Sequence, residues 1–193
     1  MDRHPDDFYA TPRWATVAIL DALDARGALT AAAGLGRILE PSCGDGAILD
    51  VLAERVSQSR LYGVEIDTAR AQATRRRFPR TTVAMADYLR WTPHPGASPA
   101  WIIGNPPFKH AQEFVEHSLS FAPADCRVTL LLRLAFLASK RRASLYAPGA
   151  GFAALHVLPR RPSFTPDRGT DRYDYGWFTW QKGFRGDARI FRL

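Results

Sequence analysis

The stretch RILEPSCGDGAILDVL, Arg37 to Leu52, decides the fold. A short apolar strand, Arg37 to Glu40, runs into a turn that bears Gly44 and Gly46, and an amphipathic helix pattern starts at Ala47. Glycine lets a backbone come close to a ligand where a Cβ would block it, and the start of a helix leaves N–H groups without intrahelical partners. A nucleotide-like ligand fits such a joint, although glycine also serves strand-to-helix turns for purely steric reasons. The next strand, in LYGVEID, puts Glu65 at its carboxyl end, 19 positions after Gly46. In doubly wound folds an acid at about that distance accepts hydrogen bonds from ribose hydroxyls. The third strand leads to Asp87, an acceptor suited to the exocyclic amino group of an adenine. Each acid alone could be an ordinary loop residue or cap; at consecutive strand ends they line one crevice.

Outward from this joint, apolar runs alternate with helical patterns, the sign of a parallel sheet covered by helices. Strands are expected at Arg37 to Glu40, Leu61 to Ile66, Thr81 to Met85, Trp101 to Gly104, Arg127 to Leu132, Ala153 to Leu158 and Gly176 to Gln181. Helices are expected at Pro12 to Ala25, Ala47 to Val56, Thr68 to Phe78, Lys109 to Ser120 and near Ala135 to Tyr146. Thr11 is the expected cap of the first, with Pro12 in its first position and Trp14, Val17 and Leu23 on its apolar face. No helical pattern separates the last two strands, so the sheet should end in an antiparallel hairpin. The expected fold is α/β and Rossmann-like, a seven-stranded mixed sheet with helices on both faces, formed by residues 1–193 as a single domain. The hairpin connector RRPSFTPDRGTDRYD reads as a mobile loop.

The chain has 193 residues, and 26 Lys and Arg against 19 Asp and Glu give a net charge of +7. That charge favours a polyanionic partner. No apolar run has the length of a membrane span and MDRHPDDFYA lacks a signal-peptide core, so a cytoplasmic protein with no membrane partner is expected. Cys43 and Cys126, the two cysteines, read as reduced thiols and no metal site is expected.

The stretch WIIGNPPFKH, Trp101 to His110, carries the chemistry. An amino group conjugated to an aromatic base is a poor nucleophile, and its hydrogens must be held by acceptors before it can react. The Asn105 side-chain oxygen and the Pro106 carbonyl offer two acceptors, Pro106 and Pro107 fix the backbone and remove competing donors, and the Phe108 ring can stack on the base.

Asn-Pro-Pro-Phe after a fourth strand, EPSCGDG after the first, and FYATPRWATVAIL ahead of both resemble the class I S-adenosylmethionine-dependent adenine-N6 methyltransferases, in the motif order of the gamma-type DNA enzymes. The resemblance implies S-adenosylmethionine as cofactor. It implies that Thr11 and Pro12 help bind the cofactor's amino-acid end with the turn of Glu40, Pro41, Cys43, Gly44 and Gly46. It further implies that Glu65 takes the ribose and Asp87 the adenine amino group. Ile66 and Tyr88, beside those acids, belong to the same cofactor set, which Asn105 borders. In LPRRPSF, Phe164 is the candidate aromatic residue that packs against an extruded base. Arg160, Arg161, Lys109 and Arg168 are candidates for the flanking phosphates, whereas Arg75 to Arg77 read as a solvated helix face. The chain resembles a bare catalytic domain without a target-recognition domain, which implies short or relaxed sequence preference, or recognition by a partner subunit. The expected function is adenine-N6 methylation of DNA. The alternatives are an RNA adenine methyltransferase, a protein glutamine methyltransferase and a non-catalytic nucleic-acid-binding subunit.

Overall fold

The computed structural model describes residues 9–27, 36–164 and 169–193. The elements are α1 (Arg13–Asp24), β1 (Arg37–Glu40), α2 (Ala47–Ala53), β2 (Leu61–Glu65), α3 (Thr68–Arg77), β3 (Thr82–Met85), β4 (Pro99–Gly104), α4 (Ala111–Phe121), β5 (Arg127–Arg133), β6 (Phe152–Val157), β7 (Tyr175–Gln181) and β8 (Arg189–Arg192). They form one mixed sheet in the order β3-β2-β1-β4-β5-β7-β6-β8. β1 to β5 run parallel, and β7 lies antiparallel between β5 and β6. The order reverses between β1 and β4, and in open α/β sheets such a switch point leaves a crevice outside the strand carboxyl ends.

The sheet has eight strands rather than the expected seven. β8 pairs parallel to β6 at the edge, and its mostly exposed sequence RIFR has too few apolar residues to show an alternating pattern. The expected hairpin of β6 and β7 is present. Residues 134–146 form two 3-10 segments in place of the expected helix. The Phe136 carbonyl accepts from Arg142 Nε at 2.8 Å and from the Tyr146 hydroxyl at 3.4 Å, so side chains hold a carbonyl that a helical N–H would otherwise bind.

Alternation along the strands splits the core between the two faces. Trp101 and Ile103 of β4 pack with α1 and α2, while Ile102 faces Phe114 and Val115 of α4. The indole N–H of buried Trp177 donates to the Ala15 carbonyl at 3.1 Å and ties α1 to β7, which fixes the amino-terminal segment beside the crevice. The side chain of Thr11 does not cap α1, whose N-cap is Pro12, and α1 buries Ala15, Thr16, Ile19, Leu20 and Leu23; Trp14 and Val17 are only partly covered. On α3, Arg75, Arg76 and Arg77 are exposed, as expected of a solvated face, and Arg75 Nε also donates to the Val83 carbonyl at 2.9 Å. Arg77 pairs with Asp50 at 2.7 Å. Among the described residues no helix is long and apolar enough to cross a membrane.

Candidate functional site

A cavity of about 570 Å³ opens at the switch point, walled by the segments that follow β1 to β4 and by residues 9–11. Thr11, Glu40, Pro41, Cys43, Gly44, Glu65, Ile66, Asp87, Asn105 and Lys109 lie in its wall, so the three separate sequence stretches converge. The turn after β1 folds back on β2. The Gly44 N–H donates to Glu65 Oε2 at 2.8 Å, the Thr74 hydroxyl donates to the Gly44 carbonyl at 2.8 Å, and the Cys43 N–H donates to the Val64 carbonyl at 2.9 Å. Gly46 is absent from the wall. With φ of +84° it supplies the left-handed N-cap of α2, and a Cβ there would come within 2.5 Å of the Phe78 ring, so its need for glycine is steric and lies behind the cavity.

Glu65 is 6% exposed and engaged by three donors, since Oε1 also accepts from the Asp67 N–H at 2.9 Å and Arg70 Nε at 3.4 Å. A carboxylate has about four lone-pair sites, so one remains, on Oε2, for a ligand hydroxyl. Asp87 accepts from the Leu89 N–H at 3.0 Å, which caps a 3-10 turn and leaves its second oxygen at 3.7 Å from Arg90. Ile66 is 65% exposed on the cavity wall, an apolar plate with nothing on it. Tyr88 and Cys43 also border the cavity, with their side chains turned into the core. Tyr88 is core, its hydroxyl hydrogen-bonded to Ser118 Oγ at 2.7 Å. The Cys43 thiol packs under Gly63, and burial pushes its pKa up, so neither side chain is left to grip a ligand.

Glu40 is 2% exposed, and its Oε2 has no hydrogen-bond partner among the described residues. Burial raises its pKa well above the carboxylate range, the Asp45 and Glu65 charges add to the rise, and a backbone hydrogen bond from Leu49 opposes it. Asp45, Asp67 and Asp87 line the same β1 to β3 side, where Arg70 pairs with Glu65, so acids outnumber bases there.

At the end of β4, Asn105 Nδ2 donates to the Tyr9 carbonyl at 3.2 Å, which fixes the side-chain orientation. Its Oδ1 is buried and has no partner among the described residues, an acceptor held without a donor. The Ser42 hydroxyl donates to the Asn105 carbonyl at 3.3 Å and couples the turn after β1 to this motif. Pro106 is buried and Pro107 lies in the wall. Phe108 stands beside the cavity in an aromatic group. Its centroid lies 6.3 Å from Tyr9 with planes 19° apart, 5.9 Å from Phe164 at 63°, and 5.4 Å from Tyr175. A base stacked between two rings needs about 7 Å between them, two contacts of roughly 3.5 Å. Phe164 touches Phe108 edge-on, so the two rings leave no gap of that width between them.

Pro12 is outside the cavity wall because it ends the segment at the start of α1. Arg160 lies over the Trp14 ring at 4.5 Å, and Arg161 pairs with Asp174 at 2.9 Å, so the charge of Arg161 is already matched. Arg168 lies outside the described residues, as does part of the connector read as a mobile loop. Two residues escaped the sequence reading. Tyr9 sits two positions before Thr11 in the same motif and acts through its carbonyl, which no residue pattern reports. Arg133 is a charge at the carboxyl end of a strand whose middle is mostly apolar, a visible signal. No group of His, Cys, Asp and Glu suited to a metal occurs among the described residues.

No family model matches the chain. Two curated relatives match short stretches. Trans-aconitate 2-methyltransferase of Paracidovorax citrulli is 32% identical over 68 residues, 35% of this chain and 26% of its own length. Modification methylase CviBIII of Paramecium bursaria Chlorella virus NC1A is 34% identical over 73 residues, 37% of this chain and 19% of its own. The chain thus matches about a quarter or less of each relative's length. Solved structures match far more of it. A modification subunit of a putative type I restriction enzyme from Vibrio vulnificus superposes with TM-score 0.69 at 14% identity, over 96% of this chain and 47% of that one. A putative class I S-adenosylmethionine-dependent methyltransferase from Listeria monocytogenes gives 0.68 at 13%, over 100% and 68%. A putative RNA methyltransferase from Pyrococcus horikoshii gives 0.70 at 15%, over 91% and 87%. The chain has the Rossmann-like fold of the class I S-adenosylmethionine-dependent methyltransferases.

Proposed function

We propose that the chain is an S-adenosylmethionine-dependent methyltransferase whose acceptor is the N6 amino group of adenine in DNA. The observation that carries this reading is the buried, unpartnered Oδ1 of Asn105, aimed by the Tyr9 carbonyl at the border of an anionic cavity. S-adenosylmethionine supplies, when bound, a methyl group on a positively charged sulfur, and a cation with an ammonium group suits a cavity in which Glu40 lacks a partner and acids crowd one another. In this reading Glu65 receives a ribose hydroxyl on its remaining lone pair and Ile66 lies against the adenine ring. Asn105 Oδ1 accepts one hydrogen of the target amino group and the Pro106 carbonyl the other. This would turn the nitrogen lone pair out of the ring's conjugation to take the methyl group as its bond to sulfur breaks, leaving a neutral thioether, and the surplus proton would pass to water. The contributions are positional and electrostatic, with no general base.

One relative's name gives trans-aconitate, a tricarboxylate, as its substrate. Here an orphaned acceptor oxygen would repel a carboxylate and suits a hydrogen-bond donor such as an amino group. The test is methyl transfer from labelled cofactor to parallel DNA and RNA pools, followed by identification of the modified nucleoside. N6-methyladenine in DNA is the expected product. The same nucleoside in RNA alone would move the acceptor to RNA, and no labelled base in either would overturn the assignment.

A further inference from the structure

Apart from the glycine turn and the Asn-Pro-Pro-Phe motif, one side chain at the crevice is held as though for a ligand. β5 is buried from Val128 to Leu132 and ends at half-buried Arg133. The Arg133 guanidinium carbon lies 5.0 Å from the Phe108 ring centroid and 4.1 Å from that of Tyr173. Its Nε donates to the Tyr175 hydroxyl at 3.2 Å, and that hydroxyl donates to Asp171 Oδ2 at 2.8 Å. Among the described residues this is its one hydrogen bond, and no carboxylate lies within ion-pair distance of it. Two rings and one anchored nitrogen thus fix the plane of the guanidinium while both Nη groups keep their donors unspent. A guanidinium so held is preorganised to give two parallel hydrogen bonds to one oxyanion.

Its neighbours are occupied differently. Arg161 is matched by Asp174 and Arg142 by the carbonyls of Phe136 and Ala135. Arg160, like Arg133, rests on a ring, Trp14. Because β6 and β5 are both antiparallel to β7, their carboxyl ends share one edge of the sheet, and both ring-held arginines stand there. Phe108, which Arg133 covers, is the ring next to Asn105. Within a nucleotide the phosphate is tied to its base through the sugar, so an oxyanion site beside the base's stacking plate falls where the strand backbone would pass.

We propose that Arg133 is a bidentate phosphate contact for the acceptor strand, taking a phosphate adjacent to the nucleotide whose base lies on Phe108. The proposal rests on the nucleic-acid reading of the site. The experiment measures binding of a fluorescently labelled, adenine-containing single-stranded DNA, and of RNA of the same sequence, across a range of salt concentrations. It compares the unmodified protein, R133Q and R133K, with cofactor affinity as the control for folding. R133Q is expected to bind several-fold more weakly and to flatten the dependence of log K on log salt by about 0.7, one phosphate on a single strand. R133K should keep the slope and recover part of the affinity, since it keeps the charge and loses the fork. A neutral methylphosphonate beside the target adenine should weaken binding to the unmodified protein and have no further effect in R133Q. An unchanged salt slope in R133Q, or additive losses with every methylphosphonate position, would make Arg133 a prop for Phe108 and overturn the proposal. Competition by a small tricarboxylate that R133Q abolishes without a change of slope would overturn it in favour of a carboxylate site. Nucleic-acid binding with the expected slope change but no adenine methylation would overturn the function proposed above and leave this contact standing, while a protein that binds neither DNA nor RNA would overturn both.

Discussion

Replacing Asn105 with alanine should separate catalysis from stability in an uncommon direction. In the protein as it stands Asn105 makes one side-chain hydrogen bond, Nδ2 to the Tyr9 carbonyl at 3.2 Å, and leaves Oδ1 buried without a donor. Losing the first costs about 1 kcal/mol, while removing a desolvated, unpaired acceptor returns about 1 to 3 kcal/mol. Tyr9 is only half-buried, so water can reach its freed carbonyl. The net effect on unfolding is therefore near zero or stabilising, a rise of no more than a few degrees in Tm for a chain of 193 residues. For methyl transfer the same change removes a preorganised contact to the reacting group, worth on the order of 3 kcal/mol, or about a hundredfold in rate. Single-turnover transfer from labelled cofactor measures the rate, calorimetry the cofactor affinity, and a thermal melt the stability. A variant with Tm lowered by many degrees, or with cofactor affinity reduced as much as the rate, would refute the assignment of Oδ1 to the acceptor.

Three further outcomes follow from buried charge. Glu65→Ala should weaken cofactor binding at least tenfold by calorimetry and also lower stability by about 1 to 3 kcal/mol in denaturant, because the N–H groups of Gly44 and Asp67 lose their acceptor. Glu40→Gln should raise Tm at neutral pH and weaken cofactor binding. The raised pKa of Glu40 means that folding is penalised once pH exceeds the ordinary carboxylate value, and that a bound cation displaces a proton; calorimetry in buffers of different ionisation enthalpy should register proton release for the unmodified protein and less for the variant. His156 is 2% exposed and its pKa is pushed down to about 4 by burial and by Arg26. Its folded value lies below the unfolded one of about 6.5. Stability is therefore present above that unfolded value and falls by on the order of 3 kcal/mol as pH drops toward 4, and urea melts of His156→Phe should show a flatter profile over that window.

How much of this was legible depended on whether the information was local. The β1 joint could be read because a short apolar run gives way to a helical pattern across two glycines within sixteen positions. β8 could not, since four residues flanked by arginine carry no period. The segment 134–146 has helical composition, and it is Arg142 and Tyr146, reaching back to the Phe136 carbonyl, that hold it in 3-10 turns. At the site, Asn105 announced itself through its prolines, whereas the group that aims it is a main-chain carbonyl 96 positions away. Gly46 was legible as a glycine that had to be glycine, but the reason, the Phe78 ring behind it, is tertiary. Arg133 was visible as a charge at the end of a mostly apolar strand; its two rings and the partner of its Nε come from two other parts of the chain, Phe108 and the segment of Tyr173 and Tyr175.

The charges of the site divide along the sheet edge in the way that two oppositely charged reactants require. Glu40, Asp45, Glu65, Asp67 and Asp87 enter the cavity from the ends of β1, β2 and β3, with Arg70 among them, paired to Glu65 at 3.4 Å. Lys109 enters after β4, and the ring-held Arg133 and Arg160 follow β5 and β6. The boundary between the two groups falls at the switch point between β1 and β4, where strand order reverses. On the proposed function, a cationic methyl donor would be drawn to one side and a polyanionic acceptor to the other, each disfavoured on the wrong side by like charge. The reacting atoms must then meet at the boundary, where either sign of fixed charge would favour one reactant over the transfer itself. Asn105, the first residue after β4, stands there as a neutral side chain with an unspent acceptor. An acid in its place would draw the donor's positive charge out of position, and a basic residue would repel it. An oriented dipole acts on the amino hydrogens alone.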